Sequence, residues 1–268
     1  MKKLWTLAAA ALAGLAILAS GCGSDASSSN TKLVVGASPV PHAEILEQAK
    51  PVLAKEGIDL EIKEFTDYVT PNTALDEKAI DANFFQTVPY MENFVKDHPM
   101  DMVFVGGVHI EPIGLYSNKV KAISDIADGS TVAIPNDPTN GGRGLLLLQK
   151  AGLIQLKDGG SDKSTVQDIV ANPKNLQIVE LEAAQLPRSL DDVTAAVINV
   201  NYALDAKLDP SKDALLLEAK DSPYVNGIVV RKGDENRPEI KKLVAALQTP
   251  EIKKFIEEKY HGAVVPGC

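Results

Sequence analysis

The chain has 268 residues, 45% of them hydrophobic and 24% charged, a globular composition long enough for two α/β lobes. A net charge of −9 opposes nucleic acid backbones and anionic lipid, so neither is an expected partner. Two cysteines, Cys22 and Cys268, offer no disulfide framework.

The first residues have their own logic. "MKK" is a cationic start, "LWTLAAAALAGLAILA" an apolar run, and "SGC" a cleavage-like end. That order describes a secretory signal rather than a spanning helix, because the apolar run is short. "LASGC" resembles the lipobox of bacterial lipoproteins, with Ala19 where a bulky residue is usual and Leu18 one step early. The resemblance implies acylation of Cys22, which anchors a chain to a membrane without spanning it. Residues 1–22 are therefore expected to be a lipoprotein signal peptide, and 23–31, "GSDASSSNT", a flexible polar tether.

"KLVVGAS" then reads as a buried strand. A helix follows from Pro41 until Gly57 stops it. "IDLEIKEF" alternates Ile58, Leu60 and Ile62 with charged neighbours, the period of a strand. A short helix around "NTALDEKA" precedes "DANFF", another covers "VPYMENFVKDH", and "DMVFVGG" is a second buried strand. Strand and helix continue to alternate through "STVAIP", a leucine-rich helix, "NLQIVEL", "AAVINV" and "GIVVRK". Two amphipathic helices, "RPEIKKLVAAL" and "PEIKKFIEEKY", come last. This alternation predicts an α/β fold with mainly parallel sheets. Residues 106–117 and 221–231 each put turn residues beside extended apolar ones, and are candidates for strands crossing between lobes.

The chemistry concentrates in "NDPTNGGRG". Asp137-Pro138 favours a turn, Thr139 or Asn140 suits a helix cap, and Gly141 and Gly142 let the backbone approach a ligand. The helix N-terminus and the planar fork of Arg143 favour an anion. Without Gly-Lys-Ser/Thr or G-x-G-x-x-G the stretch is no nucleotide loop, and a small carboxylate fits better. In "DANFF", alternation sends Phe84 and Phe85 to opposite faces, one to the core and one to a cleft. Tyr68 lies in a turn after a strand. Asn199 or Asn201, and Asn226, end apolar runs with amides that suit an amino acid's ammonium and carboxylate. No catalytic nucleophile or metal motif appears, and His42, His98, His109 and His261 lack metal-ligand spacing. His42, after "SPVP", is the one candidate to watch for zinc.

"FTDYVTPNTAL", "IDANFFQTVPYMENF", "IPNDPTNGGRGLLLLQKAGLI", "AVINVNYA" and "SPYVNGIVVR" together, in that order, resemble the methionine-binding lipoproteins that serve ABC importers. The resemblance covers essentially the whole chain after the signal. It implies a two-lobed periplasmic-binding-protein fold of type II, with two crossover strands and a central ligand cleft. Lobe 1 is expected over 32–111 plus 228–268, and lobe 2 over 112–227. By position, Arg143 would clamp the ligand carboxylate, and Asn199, Asn226 and nearby Asn140 would hold its polar atoms. Tyr68, Phe85 and Tyr90 would wrap the side chain. Such proteins usually carry His after Phe-Gln, where this chain has Thr87, a position that faces the ligand. Expected partners are L-methionine or a related amino acid, a permease with its ATPase, and a membrane reached through the lipid. The chain is expected to be monomeric, non-enzymatic, free of cofactor and metal, and anchored on the extracytoplasmic face. The alternatives are a surface interaction lipoprotein on the same fold, or a binding protein for another amino acid, a methionine dipeptide or a metal.

Overall fold

The computed structural model describes residues 30–267. The signal peptide, Cys22, the tether up to residue 29, and Cys268 lie outside the described residues. The chain begins with β1 (Thr31–Ala37), α1 (Glu44–Lys55), β2 (Ile58–Glu64) and α2 (Thr70–Asp76). Next come β3 (Ala82–Thr87), α3 (Val88–Asp97) and β4 (Met102–Ile110). It then passes into a second body through β5 (Gly114–Tyr116), β6 (Thr131–Pro135) and α4 (Pro138–Lys150). A small antiparallel pair follows, β7 (Gln155–Leu156) with β8 (Ile169–Ala171). The second body ends with β9 (Gln177–Leu181), α5 (Leu186–Ser189), β10 (Ala195–Ile198), α6 (Val200–Asp205), α7 (Pro210–Asp213) and β11 (Ala214–Leu217). The chain returns with β12 (Val225–Arg231), α8 (Pro238–Leu247), α9 (Pro250–Tyr260) and β13 (Val265–Pro266).

Besides the β7–β8 pair, the described residues form two larger sheets, one per lobe. The first has six strands in the order β13-β4-β12-β3-β1-β2, the second five in the order β11-β5-β10-β6-β9. Both are mixed rather than mainly parallel. β12 lies antiparallel to β3 on one side and β4 on the other. The cause is connectivity: β4 leaves the first lobe towards the second, and a strand coming back must run the other way. β5 likewise lies antiparallel to β10, whereas β6 pairs parallel with β10 and β9. The lobes are joined at residues 111–113 and 218–224. The lobe boundary expected at 227/228 falls inside β12, whose Asn226 and Gly227 pair with strands of the first sheet.

Each lobe has its own apolar core. In the first, Leu33, Val35 and Phe84 of the sheet pack with Leu46 and Leu53 of α1 and Leu243 of α8. In the second, Val132 and Ile134 of β6 and Val197 of β10 meet Leu145 and Leu148 of α4. A fully buried leucine contributes about 1.5–3 kcal/mol, so the leucine run accounts for the packing of α4 on its sheet. α1 ends as expected, with Gly57 taking the left-handed φ of 75° just past the helix.

β12 needs glycine at 227 for a different reason. A Cβ there would stand 2.1 Å from the carbonyl oxygen of Gly106 on the neighbouring strand, beside a register shift. Gly227→Ala is expected to lower unfolding free energy by about 1–3 kcal/mol through overpacking. Urea denaturation of the variant beside the wild type reads this directly, and equal midpoints would contradict it.

Candidate functional site

Residues at or just beyond the carboxyl ends of β3, β6 and β10 meet at one place, where open α/β sheets bind ligands. There a cavity is lined by Tyr68, Phe85, Gln86, Thr87, Tyr90, Glu111, Asn140, Arg143, Asn199 and Asn226. All eight residues singled out in the sequence line it, together with Gln86 and Glu111, which were not.

One wall is aromatic. Phe84 goes to the core and Phe85 to the cavity, as the alternation of β3 requires. The Tyr68 ring lies 5.8 Å from Phe85 and 5.6 Å from Tyr90, within the range of aromatic packing. The Tyr68 hydroxyl donates to Asn201 Oδ1 at 2.6 Å, and that of Tyr90 to the Tyr68 carbonyl at 3.0 Å. Burial pushes both phenols upward, so they remain protonated donors. Thr87 is the N-cap of α3, its hydroxyl accepting from the Tyr90 N–H at 3.4 Å. A threonine at this position therefore has a local task, satisfying a free N–H at a helix start. Gln86 belongs to a buried amide cluster behind the wall, donating to Asn72 Oδ1 at 2.7 Å and Asn83 Oδ1 at 2.9 Å.

The opposite wall is polar, and α4 supplies much of it. Its cap is Asp137 rather than Thr139 or Asn140, because Pro138 occupies the first turn and the Asp137 carboxylate accepts the Asn140 N–H at 2.9 Å. The glycines also differ from expectation. A Cβ on Gly142 would stand 2.2 Å from the Asp162 carbonyl oxygen, and one on Gly141 2.9 Å from that of Pro135. They allow protein backbone, not a ligand, to approach the helix.

With Asp137 as cap, the amides orient one another. A carboxylate only accepts, so the Asn140 NH₂ must face it, at 3.0 and 3.1 Å. Asn140 Oδ1 then accepts from Arg143 Nη1 at 3.2 Å and from Asn199 Nδ2 at 3.0 Å. That leaves Asn199 Oδ1 buried without a partner among the described residues. Asn201, the other candidate beside Asn199, instead serves the frame by accepting from Tyr68 and donating its N–H to Glu111 Oε2 at 3.1 Å.

Arg143 is 4% exposed and held from several sides. Its Nε and Nη2 donate to Glu218 Oε1 and Oε2 at 3.2 and 2.6 Å, and Nη2 also donates to the Glu111 carbonyl at 3.0 Å. The guanidinium lies 4.1 Å from the Tyr224 ring centroid. Where the sequence suggested a two-pronged clamp on a carboxylate, these contacts leave one Nη1–H.

Glu111 gathers the histidines. Its Oε1 accepts from His109 Nε2 at 2.7 Å and lies 3.2 Å from His42 Nε2, which also approaches Asn226 Oδ1 at 3.3 Å. Burial pushes His42 down to about 4 and His109 to about 3, so both rings are neutral at pH 7 and carry their proton on Nε2. Their Nδ1 atoms are buried and unpartnered among the described residues. His42, His109 and Glu111 bring possible metal ligands within 4.8 Å of one another. As placed, they satisfy each other by hydrogen bonds, and neither histidine has the acceptor on its second nitrogen that steadies a ligating imidazole. A cation could be held only by giving up these bonds. His98 and His261 do not join the cluster; His98 stacks on Phe94 at 4.3 Å.

The depressed histidines make stability pH-dependent. Between the unfolded value of 6.5 and the folded values, the unfolded chain binds more protons, so folding weakens as pH falls. We expect a loss of up to about 1.4 kcal/mol per pH unit per histidine below pH 6.5. Protonation of Glu111 and Asp137, which burial pushes upward, offsets part of it. Urea unfolding at pH 7 and pH 5 measures the slope, and His109→Gln is expected to flatten it; an unchanged slope would contradict the assignment.

The NlpA lipoprotein family model matches residues 33–268. The D-methionine-binding lipoprotein MetQ of Escherichia coli is 46% identical, over 99% of this chain and 98% of that one. A nutrient-binding protein of Burkholderia cenocepacia, solved bound to methionine, is 48% identical with a TM-score of 0.84, covering 88% of this chain and 100% of that one. An ABC transporter periplasmic substrate-binding protein of Coxiella burnetii is 44% identical with a TM-score of 0.84, again over 88% and 100%.

Proposed function

The chain belongs to the NlpA lipoprotein family, and we propose that it is the substrate-binding lipoprotein of an ABC importer for methionine. The observation that carries the proposal is what the cavity leaves unsatisfied. Among the described residues, Arg143 has one N–H without an acceptor and Asn199 Oδ1 has no donor. An α-amino acid brings the complement of both, a carboxylate and an ammonium, and the Glu111 carboxylate adds an anion near the ammonium. Tyr68, Phe85 and Tyr90 provide the aromatic surface that suits a thioether, at roughly 0.3–1.5 kcal/mol per contact. In this reading Asn226 and Thr87 close the cavity around the ligand. Thr87 permits methionine because its hydroxyl is already used as a helix cap.

Binding without catalysis fits the same inventory. The cavity holds amides, phenols and ion-paired groups, and no activated nucleophile lines it. The lobes are fastened across the cleft by Tyr202 Oη to the Thr66 carbonyl at 3.2 Å and by Asn93 to Thr139 at 3.2 Å. A permease can distinguish loaded from empty protein through such closure, provided that ligand favours the closed state. Acylation at Cys22 would keep the monomer on the extracytoplasmic face of the membrane, within reach of the permease and its ATPase. No helix among the described residues is long and apolar enough to cross a membrane.

The test is a thermal-shift scan of the full-length chain in detergent, stripped of carried ligand by unfolding and refolding. Glycine and both enantiomers of every other amino acid are included, since the family resemblance implies L-methionine and the relative of Escherichia coli is a D-methionine-binding lipoprotein. At a thousand times Kd, ligand adds roughly 4 kcal/mol, or about 8–16 °C. We expect that shift with methionine, and binding weaker by about 2 kcal/mol or more in Arg143→Ala. No shift with any amino acid would overturn the proposal.

A further inference from the structure

The arginine that lines the cavity is not free to choose how it meets a ligand. A guanidinium has five N–H groups and two edges that can grip a carboxylate with parallel bonds. The Nε/Nη2 edge is closed by Glu218 at 3.2 and 2.6 Å. At the Nη1/Nη2 end, one hydrogen goes to the Glu111 carbonyl and one to Asn140 Oδ1. The single hydrogen left, on Nη1, is enough for an end-on contact and too little for a fork.

Glu218 is itself fixed by both connections between the lobes. Its N–H donates to the Ile113 carbonyl at 2.9 Å, and its Oε2 accepts the Ile113 N–H at 3.4 Å. Ile113 stands in the first connection and Glu218 in the second. Tyr224, further along the second, lies against the guanidinium. The carboxylate therefore cannot swing away without loosening the hinge.

Resting on the methionine reading, we infer that Glu218 is the positioning residue of this site: it turns Arg143 end-on to the ligand and cancels its charge. The cavity then presents an ion pair rather than a bare cation, with the Glu111 carboxylate nearby. Such a site does not call for an anionic ligand. It does not depend on the ligand carboxylate as strongly as an unpaired arginine would. Removing the carboxylate of Glu218 restores a buried positive charge and a free edge, and both favour a ligand carboxylate over a neutral amide.

The experiment is calorimetric titration of the full-length chain in detergent with methionine and with methioninamide, which lacks the carboxylate. The readout is the ratio of the two dissociation constants, amide over acid. In E218Q the ratio is expected to rise roughly tenfold, the effect of one charge-assisted hydrogen bond gained. E218A gives the same rise without adding an amide, and E218D, which keeps the anion, returns towards the wild-type ratio. Thermal melting verifies that each variant is folded. Equal weakening of both ligands, with the ratio unchanged or lower, overturns the inference and makes Glu218 merely structural. A wild type that binds no methionine overturns the methionine reading itself, which separates the two failures.

Discussion

Arg143 joins three parts of the molecule through one buried cation. It stands on α4 of the second lobe, it bonds the Glu111 carbonyl in one connection, and it pairs with Glu218 in the other. A cation so enclosed needs a charged partner, since removing one partner of a buried pair costs several kcal/mol. The local structure follows from that need. α4 lies close against the Asp162 backbone, which Gly142 permits, and the leucine run presses the helix onto its sheet. The connections converge on Arg143 because it has donors for both.

The polar half of the cavity is ordered by groups that can play only one role. Asp137 can only accept and Arg143 can only donate, so Asn140 between them has one possible orientation. Asn199 inherits that orientation and shows its carbonyl oxygen to the cavity. Glu111 receives two neutral histidines and a backbone N–H, so the remaining freedom there is small as well. The ligand is thereby described in negative: an acceptor for one N–H, a donor for one oxygen, and an apolar body for the aromatic wall. A preorganised site of this kind requires little reordering when the ligand arrives, which is where affinity is otherwise lost.

Much of this was legible in the chain, for reasons that are local. Alternation along β3 separates Phe84 from Phe85 without any knowledge of the other lobe. Strands that end in asparagine, and a helix that begins with an arginine among glycines, place polar groups at the mouth of α/β units. What escaped the sequence is long-range or depends on which neighbour wins. Glu218 lies 75 residues from Arg143, and nothing in "LLLEAKDS" marks it as a partner. Glu111 followed a strand in "HIEP", where a charged residue ordinarily reads as solvated; it is buried with His109 of the same stretch and with His42, which arrives from a distant segment. The cap passed to Asp137 because proline fills the first turn after it. The sheets are mixed because the chain crosses between lobes twice, which strand periodicity does not record.

The central claim is that the closed cavity holds one zwitterionic amino acid between the lobes. Native mass spectrometry of the full-length protein, stripped and then incubated with methionine, tests it without reference to any single residue. The expected result is a uniform population heavier than the bare chain by the mass of one methionine, displaced neither by methioninamide nor by the analogue lacking the ammonium. A spectrum showing only bare protein, or equal occupancy by either analogue, would contradict it.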